Sequence, residues 1–296
     1  MSVDLRDATP DDAPAIKELL DEHALESFGE VELSEDEIRS WFGMAKLWIQ
    51  VAERSGELVG YLDARTEEGG RFDIDARSLE PEVVPVLIEA AEAHARAQNE
   101  HALLHGYAQG DEPVARKAYE AAGWRPIRYS FQMQIDVDGE LPEPDWRDGF
   151  EPRNVRPGEE ERVYDAHMDS FADHWDFRRQ SYEDWSQYSL AGHRFDPALW
   201  WLVEDGDELA AIALNSWHFS GDRTFGWIQV LGVRPTWRRR GLATALLRHS
   251  FRDFQQRNAT RVGLGVDGEN TTGAVRLYEQ VGMRQVRRND TYEKAL

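Results

Sequence analysis

The stretch Trp227-Ile228-Gln229-Val230-Leu231-Gly232-Val233 runs through Arg234-Pro235-Thr236-Trp237 into Arg238-Arg239-Arg240-Gly241-Leu242-Ala243-Thr244. Its isoleucine, valine and aromatic content predicts a strand from Phe225 to Val233. From Gly241 to about Arg257, Leu242, Leu246, Leu247, Phe251 and Phe254 recur at helical spacing. A strand that meets a helix in this way presents free backbone N–H groups with the helix dipole behind them, which is an anion site. Gly241 lets backbone approach a phosphate closely. Three arginines add charge and forked donors that match phosphate oxygens. The plainer alternative is an Arg-rich helix start that faces solvent.

The neighbouring sequence weighs against that alternative. Upstream, Trp200-Trp201-Leu202-Val203 and Leu209 to Leu214 flank Glu204-Asp205-Gly206-Asp207, a hairpin signal. Downstream, Val262, Leu264 and Val266 alternate with glycine as a strand, Ala274 to Val281 reads as a helix, and Gly282 stands where a C-cap glycine belongs. The order is strand, helices, antiparallel strands, helix, strand, helix, strand. This predicts an α/β (α+β) fold with a mixed, mostly antiparallel sheet flanked by helices.

The pattern occurs twice. A constant offset of 159 residues separates Asn99 from Asn258, Tyr119 from Tyr278 and Gly123 from Gly282. The opening motifs at Val3–Asp12 and Phe150–Glu159 match in the same sense, each a short strand, a Pro turn and a helix with an acidic first turn. Two copies of one domain follow, at 1–137 and 150–296. An acidic, Pro-containing linker is expected at 138–149. A chain of 296 residues suits two domains of about 150 each.

Composition narrows the function. Hydrophobic residues make up 41%, which excludes wholesale disorder. No apolar run reaches about 18 residues, so no membrane partner is expected, and the unadorned start at Met1–Asp7 predicts a cytoplasmic protein. Cysteine is absent, which removes disulfides, zinc–thiolate sites and a Cys nucleophile. The 34 basic and 56 acidic residues give a formal charge of −22, and the only lysines are Lys17, Lys46, Lys117 and Lys294. Acidic residues spread over the whole chain read as a halophilic surface rather than as a site for a cationic ligand. Nucleic acid is not an expected partner, because phosphate binding needs a basic footprint. Monomer and homodimer both remain open.

Arg238-x-x-Gly241-x-Ala243 resembles the coenzyme A pyrophosphate loop of the GCN5-related N-acetyltransferases (GNAT). Asn270-Thr271-Thr272-Gly273-Ala274-Val275-Arg276-Leu277-Tyr278-Glu279-Gln280-Val281-Gly282-Met283 resembles that family's second signature. The tandem layout, His174-Trp175 and Phe195-Asp196-Pro197 are similar to the mycothiol synthase branch. The resemblance implies two tandem GNAT-like domains and acetyl transfer from acetyl-CoA, with no metal, to a primary amine of a small-molecule or peptide acceptor by direct attack. It implies a strand bulge at about Leu231, whose N–H polarises the thioester carbonyl. Gly232 and Val233 would pair with the pantetheine arm, and Asn270 would hydrogen-bond it. Arg238, Arg239, Arg240, Gly241, Leu242, Ala243 and Thr244 would hold the phosphates. Tyr278 would protonate the leaving thiolate, its ordinary pKa near 10 allowing it. Alternatively Tyr278 caps the core and Asn270 serves a turn. The strand Phe225–Val233 carries no carboxylate to act as general base. His167, Asp169, His174 and Asp176 lie on the segment that usually covers the acceptor, and none is singled out.

The first copy has lost its loop. The offset places Leu79-Glu80-Pro81-Glu82-Val83-Val84 on Arg238–Ala243, so glutamates stand where phosphates would sit, and Asp111 stands in the Asn270 position. Tyr119 is then a structural relic and the first copy a packing partner. The rival functional class is a non-catalytic acyl-CoA-binding or regulatory module on the same fold.

Overall fold

The computed structural model describes residues 3–67, 69–109, 112–147, 149–190 and 195–296. Asp111 lies outside the described residues. The first half of the chain folds in the order β1 (Asp4–Asp7), α1 (Ala13–Phe28), α2 (Glu35–Trp41), β2 (Leu47–Arg54), β3 (Glu57–Thr66), β4 (Arg71–Arg77), α3 (Val84–Gln98), β5 (Leu103–Gln109), α4 (Pro113–Ala121) and β6 (Arg125–Asp136). The second half repeats it with β7 (Pro152–Asn154), α5 (Glu160–Phe171), α6 (Tyr182–Ser189), β8 (Trp200–Asp205), β9 (Glu208–Trp217), β10 (Phe225–Val233), α7 (Leu242–Gln256), β11 (Arg261–Asp267), α8 (Ala274–Gln280) and β12 (Arg284–Ala295).

Two compact units result. One holds Met1–Ser130, Phe219–Gly221 and Arg287–Leu296; the other holds Phe131–His218 and Asp222–Val286. The units therefore differ from the sequence halves at their ends. The closing residues of the chain complete the first unit, where β12 pairs antiparallel with β5 from Asn289↔Gln109 to Ala295↔Leu103. Within the first unit the strand order is β1-β2-β3-β4-β5-β12, and within the second it is β7-β8-β9-β10-β11-β6. Only β4 with β5, and β10 with β11, are given as parallel neighbours; the hairpin ladders are antiparallel.

In the second unit the stripe on α7 does what its spacing predicts. Leu247, Phe251 and Phe254 enter a core with Ile228, Val262 and Leu264, while Leu242 and Leu246 pack on Ala211 and Ala213 of β9. The described part of 138–149, expected as a linker, is tied along α7. Gln255 Nε2 donates to the Gly139 carbonyl at 2.7 Å, and Arg252 Nη1 donates to the Leu141 carbonyl at 3.0 Å.

One pair of glycines separates the two copies. Gly106 on β5 and Gly265 on β11 stand one repeat apart. A Cβ added at Gly106 would lie 2.5 Å from the Tyr119 ring, whereas one added at Gly265 meets nothing within 4 Å. We expect Gly106→Ala to lower the unfolding free energy by about 1–3 kcal/mol through overpacking. Gly265→Ala should change it by less than about 0.5 kcal/mol. Denaturant midpoints of the two variants check this, and equal losses would show that both positions are filled.

Candidate active site

The site begins with one extra residue. In the β9–β10 ladder Ile228 pairs with Asn215 and Val230 with Leu214, so Gln229 is bulged out of register. A bulge bends and twists its strand. The parallel pairing of β10 with β11 covers Phe225↔Arg261 to Trp227↔Gly263, although both strands continue, to Val233 and Asp267. The two strands part there, and a cleft of 410 Å³ opens between them. Ile228, Gln229, Leu231 and Val233 line one wall; Leu264, Gly265, Val266 and Asp267 line the other. The expected position of the bulge was about Leu231. The ladder places it two residues earlier, where Gln229 Nε2 donates to the buried Ser216 Oγ at 2.8 Å. Leu231 itself pairs with Ala213 and lines the cleft.

At the mouth of the strands, Pro235–Trp237 forms a 3₁₀ turn pinned by Trp237 Nε1, which donates to Asp205 Oδ2 at 2.8 Å. Arg239 then takes φ +63° and Gly241 φ +85°, both left-handed. Gly241 is the N-cap of α7 and offers no side chain to cap it. The first intrahelical bond runs from Ala245 N to Gly241 O at 3.0 Å. The N–H groups of Leu242, Ala243 and Thr244 are thus left with no acceptor in the helix, and these residues line the cleft. Donors of this kind, on a positive dipole end, fit a phosphate ester.

The three arginines divide their duties. Arg238 is gripped by Asp173, with Nη2 donating to Oδ1 at 2.8 Å, and Nη2 also donates to the Ser170 carbonyl at 2.9 Å. Arg238 hydrogen bonding holds the Asp173 carboxyl below its ordinary range. Arg240 lies over the Phe150 ring at 4.8 Å and pairs with Asp205 at 3.7 Å. Arg239 is exposed, lines the cleft and has no ion-pair partner among the described residues. Of the residues expected to hold the coenzyme, all but Arg240 and Gly232 line the cleft. Gly232 is buried beneath α5: a Cβ there would meet Ser170 Cβ at 2.9 Å, so this glycine permits close helix–strand packing.

Tyr278 and Asn270 reach the same cleft. Tyr278 is 8% exposed, and burial pushes its hydroxyl pKa up to about 12. That hydroxyl has no hydrogen-bond partner among the described residues. Asn270 Oδ1 accepts from Thr272 N at 2.8 Å, so the residue does serve the turn before α8, and its amide nitrogen stays unengaged.

The family described as the acetyltransferase (GNAT) family matches residues 160–283. A mycothiol acetyltransferase of Thermobispora bispora is 31% identical over 188 residues, and the match spans 60% of this chain and 60% of that relative. A mycothiol acetyltransferase of Stackebrandtia nassauensis is 30% identical over 272 residues, 84% of this chain and 82% of that one. The chain belongs to the GNAT acetyltransferase family. A crystal structure of a GCN5-related N-acetyltransferase from Sphaerobacter thermophilus superposes with a TM-score of 0.82 at 26% identity, covering 99% of this chain and 95% of that one.

Within this GNAT chain the first unit shows no comparable opening. The β3–β4 ladder runs without a shift from Tyr61↔Arg77 to Thr66↔Phe72, and β4 stays paired with β5 through Ile74↔Gly106. Tyr119, the counterpart of Tyr278, is fully buried and stacked on Tyr292 at 5.3 Å. Glu80 and Glu82 are both partnered by Arg54.

Of the four polar residues on the covering segment, three are engaged elsewhere. His167 Nδ1 accepts from Trp185 Nε1 at 3.0 Å, Asp169 pairs with Arg234 at 2.8 Å and Arg179 at 3.2 Å, and Asp176 pairs with Arg178 at 3.6 Å. His174 alone of the four lines the cleft, packed on Phe171 at 4.4 Å. Burial lowers its pKa. Gln229, Phe171 and Asp267 also line the cleft, though no motif marks them.

His167 gives the site a pH signature. Burial, with His174 nearby, lowers its pKa from 6.5 to about 4. The unfolded chain therefore binds this proton more readily between those values, and stability falls as pH drops through the window. We expect up to about 3 kcal/mol from this group, and His167→Gln should flatten the dependence by about one proton. Urea unfolding at pH 4.5 and 7 checks it; an unchanged slope in the variant would count against the buried neutral imidazole.

Proposed function

We propose that this protein transfers an acetyl group from acetyl-CoA to a primary amine of a small-molecule acceptor, by direct attack in the second unit. One observation carries the reading: a single cleft brings together the uncapped start of α7, the unpaired wall of β10 and the free hydroxyl of Tyr278. The mycothiol acetyltransferase names of the relatives support acetyl transfer; the acceptor is left as an amine of unspecified structure. On this reading 150–296 is the catalytic copy and 1–137 a supporting one, with the last strand lent to the first unit.

Acetyl-CoA supplies an activated carbonyl carbon on a sulfur leaving group. The chain's own groups do the rest. The N–H groups of Leu242, Ala243 and Thr244, with Arg239, hold the phosphates. Val233 main chain and the Asn270 amide hold the arm, and the Leu231 N–H polarises the thioester carbonyl as it becomes an oxyanion. As the N–C bond forms and the C–S bond breaks, His174 takes the amine proton and Tyr278 gives its own to the departing thiolate. Burial favours neutral His174, the form able to accept a proton. Its charged neighbours are Asp173 and Asp267, which oppose that effect, and Arg238, which reinforces it. Tyr278, raised to about 12, stays protonated at neutral pH until the thiolate appears.

No helix among the described residues is long and apolar enough to cross a membrane. The charge of −22 we read as salt adaptation in a cytoplasmic enzyme, so assays belong in molar KCl. One CoA should bind per chain in titration calorimetry, and free thiol should appear when acetyl-CoA is mixed with an amine panel. The absence of a carboxylate on β10 favours a second reading, a binding module without turnover. Binding with no thiol release would establish that second reading, and a stoichiometry near two would overturn the assignment to the second unit alone.

Tyr278→Phe should lower kcat about 10²–10⁴-fold and leave KM for acetyl-CoA nearly unchanged, because the ring keeps its packing and only the transition-state proton is lost. Tyr119→Phe should leave turnover intact. His174→Gln should lower kcat and remove the acidic limb of its pH profile. Equal losses in the two tyrosine variants would mean that both copies, or neither, carry the chemistry.

A further inference from the structure

We propose that Arg147, from the segment preceding β7, supplies a cation to the coenzyme phosphates at the start of α7. The proposal rests on the reading of the cleft as a coenzyme A site. The loop itself is short of free positive charge. Arg238 is committed to Asp173 and the Ser170 carbonyl, and Arg240 to Asp205 and the Phe150 ring. Arg239 alone is left for a ligand whose phosphates carry about three to four negative charges, on a chain of formal charge −22.

Arg147 stands where the deficit is. Its Cδ lies 4.0 Å from the position a Cβ would take on Gly241, the nearest atom to that open face of the loop. The segment around it is held at both ends. Upstream, Glu143 pairs with Arg252 at 2.7 Å; downstream, Phe150 N donates to the Arg147 carbonyl at 3.1 Å and the Phe150 ring lies under Arg240. Between them Trp146 meets the His249 ring of α7 edge-on at 6.0 Å. Residue 147 is thereby fixed at the N-terminal end of α7 rather than free along a tether.

Its resting partner is Asp145, whose Oδ2 accepts from Arg147 Nε at 2.9 Å, with side chains 68% and 61% exposed. A pair so exposed is worth little and exchanges readily for a phosphate, which offers a stronger, forked acceptor. The guanidinium has rotatable bonds beyond Cδ to turn toward the uncapped N–H groups. An arginine here adds charge without touching the helix cap that the glycine conformation requires.

Titration calorimetry with CoA and with dephospho-CoA, on the full chain at fixed KCl, tests this. Arg147→Ala should weaken CoA about three- to tenfold with unchanged circular dichroism, the side chain being a surface one. A loss confined to CoA assigns the contact to the 3′-phosphate; an equal loss with dephospho-CoA assigns it to the pyrophosphate. Asp145→Asn should tighten binding by releasing the guanidinium. The proposal is overturned if the wild-type chain binds CoA and Arg147→Ala matches it within twofold for both ligands, or if Asp145→Asn weakens binding. Failure of the wild-type chain to bind CoA would instead sink the coenzyme reading itself.

Discussion

Everything in the second unit depends on the one-residue insertion at Gln229. Strands in a sheet have no reason to separate while both ladders are in register, because each unpaired buried N–H or C=O costs a desolvated hydrogen bond. The bulge supplies the reason. It changes the local twist of β10 while the β9 side keeps its pairing, through Leu231↔Ala213 to Val233↔Ala211. The strain falls on the other edge, and β10 leaves β11 after Trp227↔Gly263. The backbone of one strand is then available to a linear amide-bearing ligand, in the manner of an added strand. Ser216 and Gln229 fix the bulge by a side-chain bond, so the opening is built into the sheet.

The first unit is the control that the same chain provides. With no bulge in β3–β4, parallel pairing runs to Gly106, and the tyrosine of the repeat closes over that glycine. The interior is polar in its own way. Arg77 binds Asp75 at 2.7 Å and Glu32 at 3.1 Å, and Tyr61 donates to Asp63 at 2.7 Å. Burial, with Asp75 beside it, pushes the Asp63 carboxyl up to about 7. These groups satisfy one another and leave no donor array for a ligand. A repeat can thus keep its strand order and its Tyr and lose its chemistry through a register change and a loop.

Much of this was legible in the sequence, for identifiable reasons. The 159-residue offset needed only identities at Asn258, Tyr278 and Gly282, and helix α7 only the period of Leu242, Leu246, Phe251 and Phe254. The loop and Tyr278 were readable because glycine and tyrosine serve there as backbone and side chain in fixed roles. The position of the bulge was not, because a register shift depends on which residues oppose β10, and β9 is distant in sequence. Nor was the fate of the arginines: three identical letters in a row hide one bound to Asp173, one free and one stacked on Phe150. The assignment of the closing residues Arg287–Leu296 to the first unit has no local signal at all.

Arg238 shows why a loop residue should not be weighed by its charge alone. Its Nη2 donates to the carbonyl of Ser170, in the last turn of α5, where the helix dipole is negative and a cation is favoured. Its Nε donates to the Val233 carbonyl at 3.2 Å, at the end of β10. One guanidinium therefore ties the diverging end of β10 to the end of α5, and through Asp173 to the segment that follows. His174 is the next residue in the chain, and its ring stands in the cleft. The same planar, always-charged group that closes the phosphate loop thus sets where the cleft imidazole sits, a task for which a lysine, with a single point charge and no fork, has the wrong geometry.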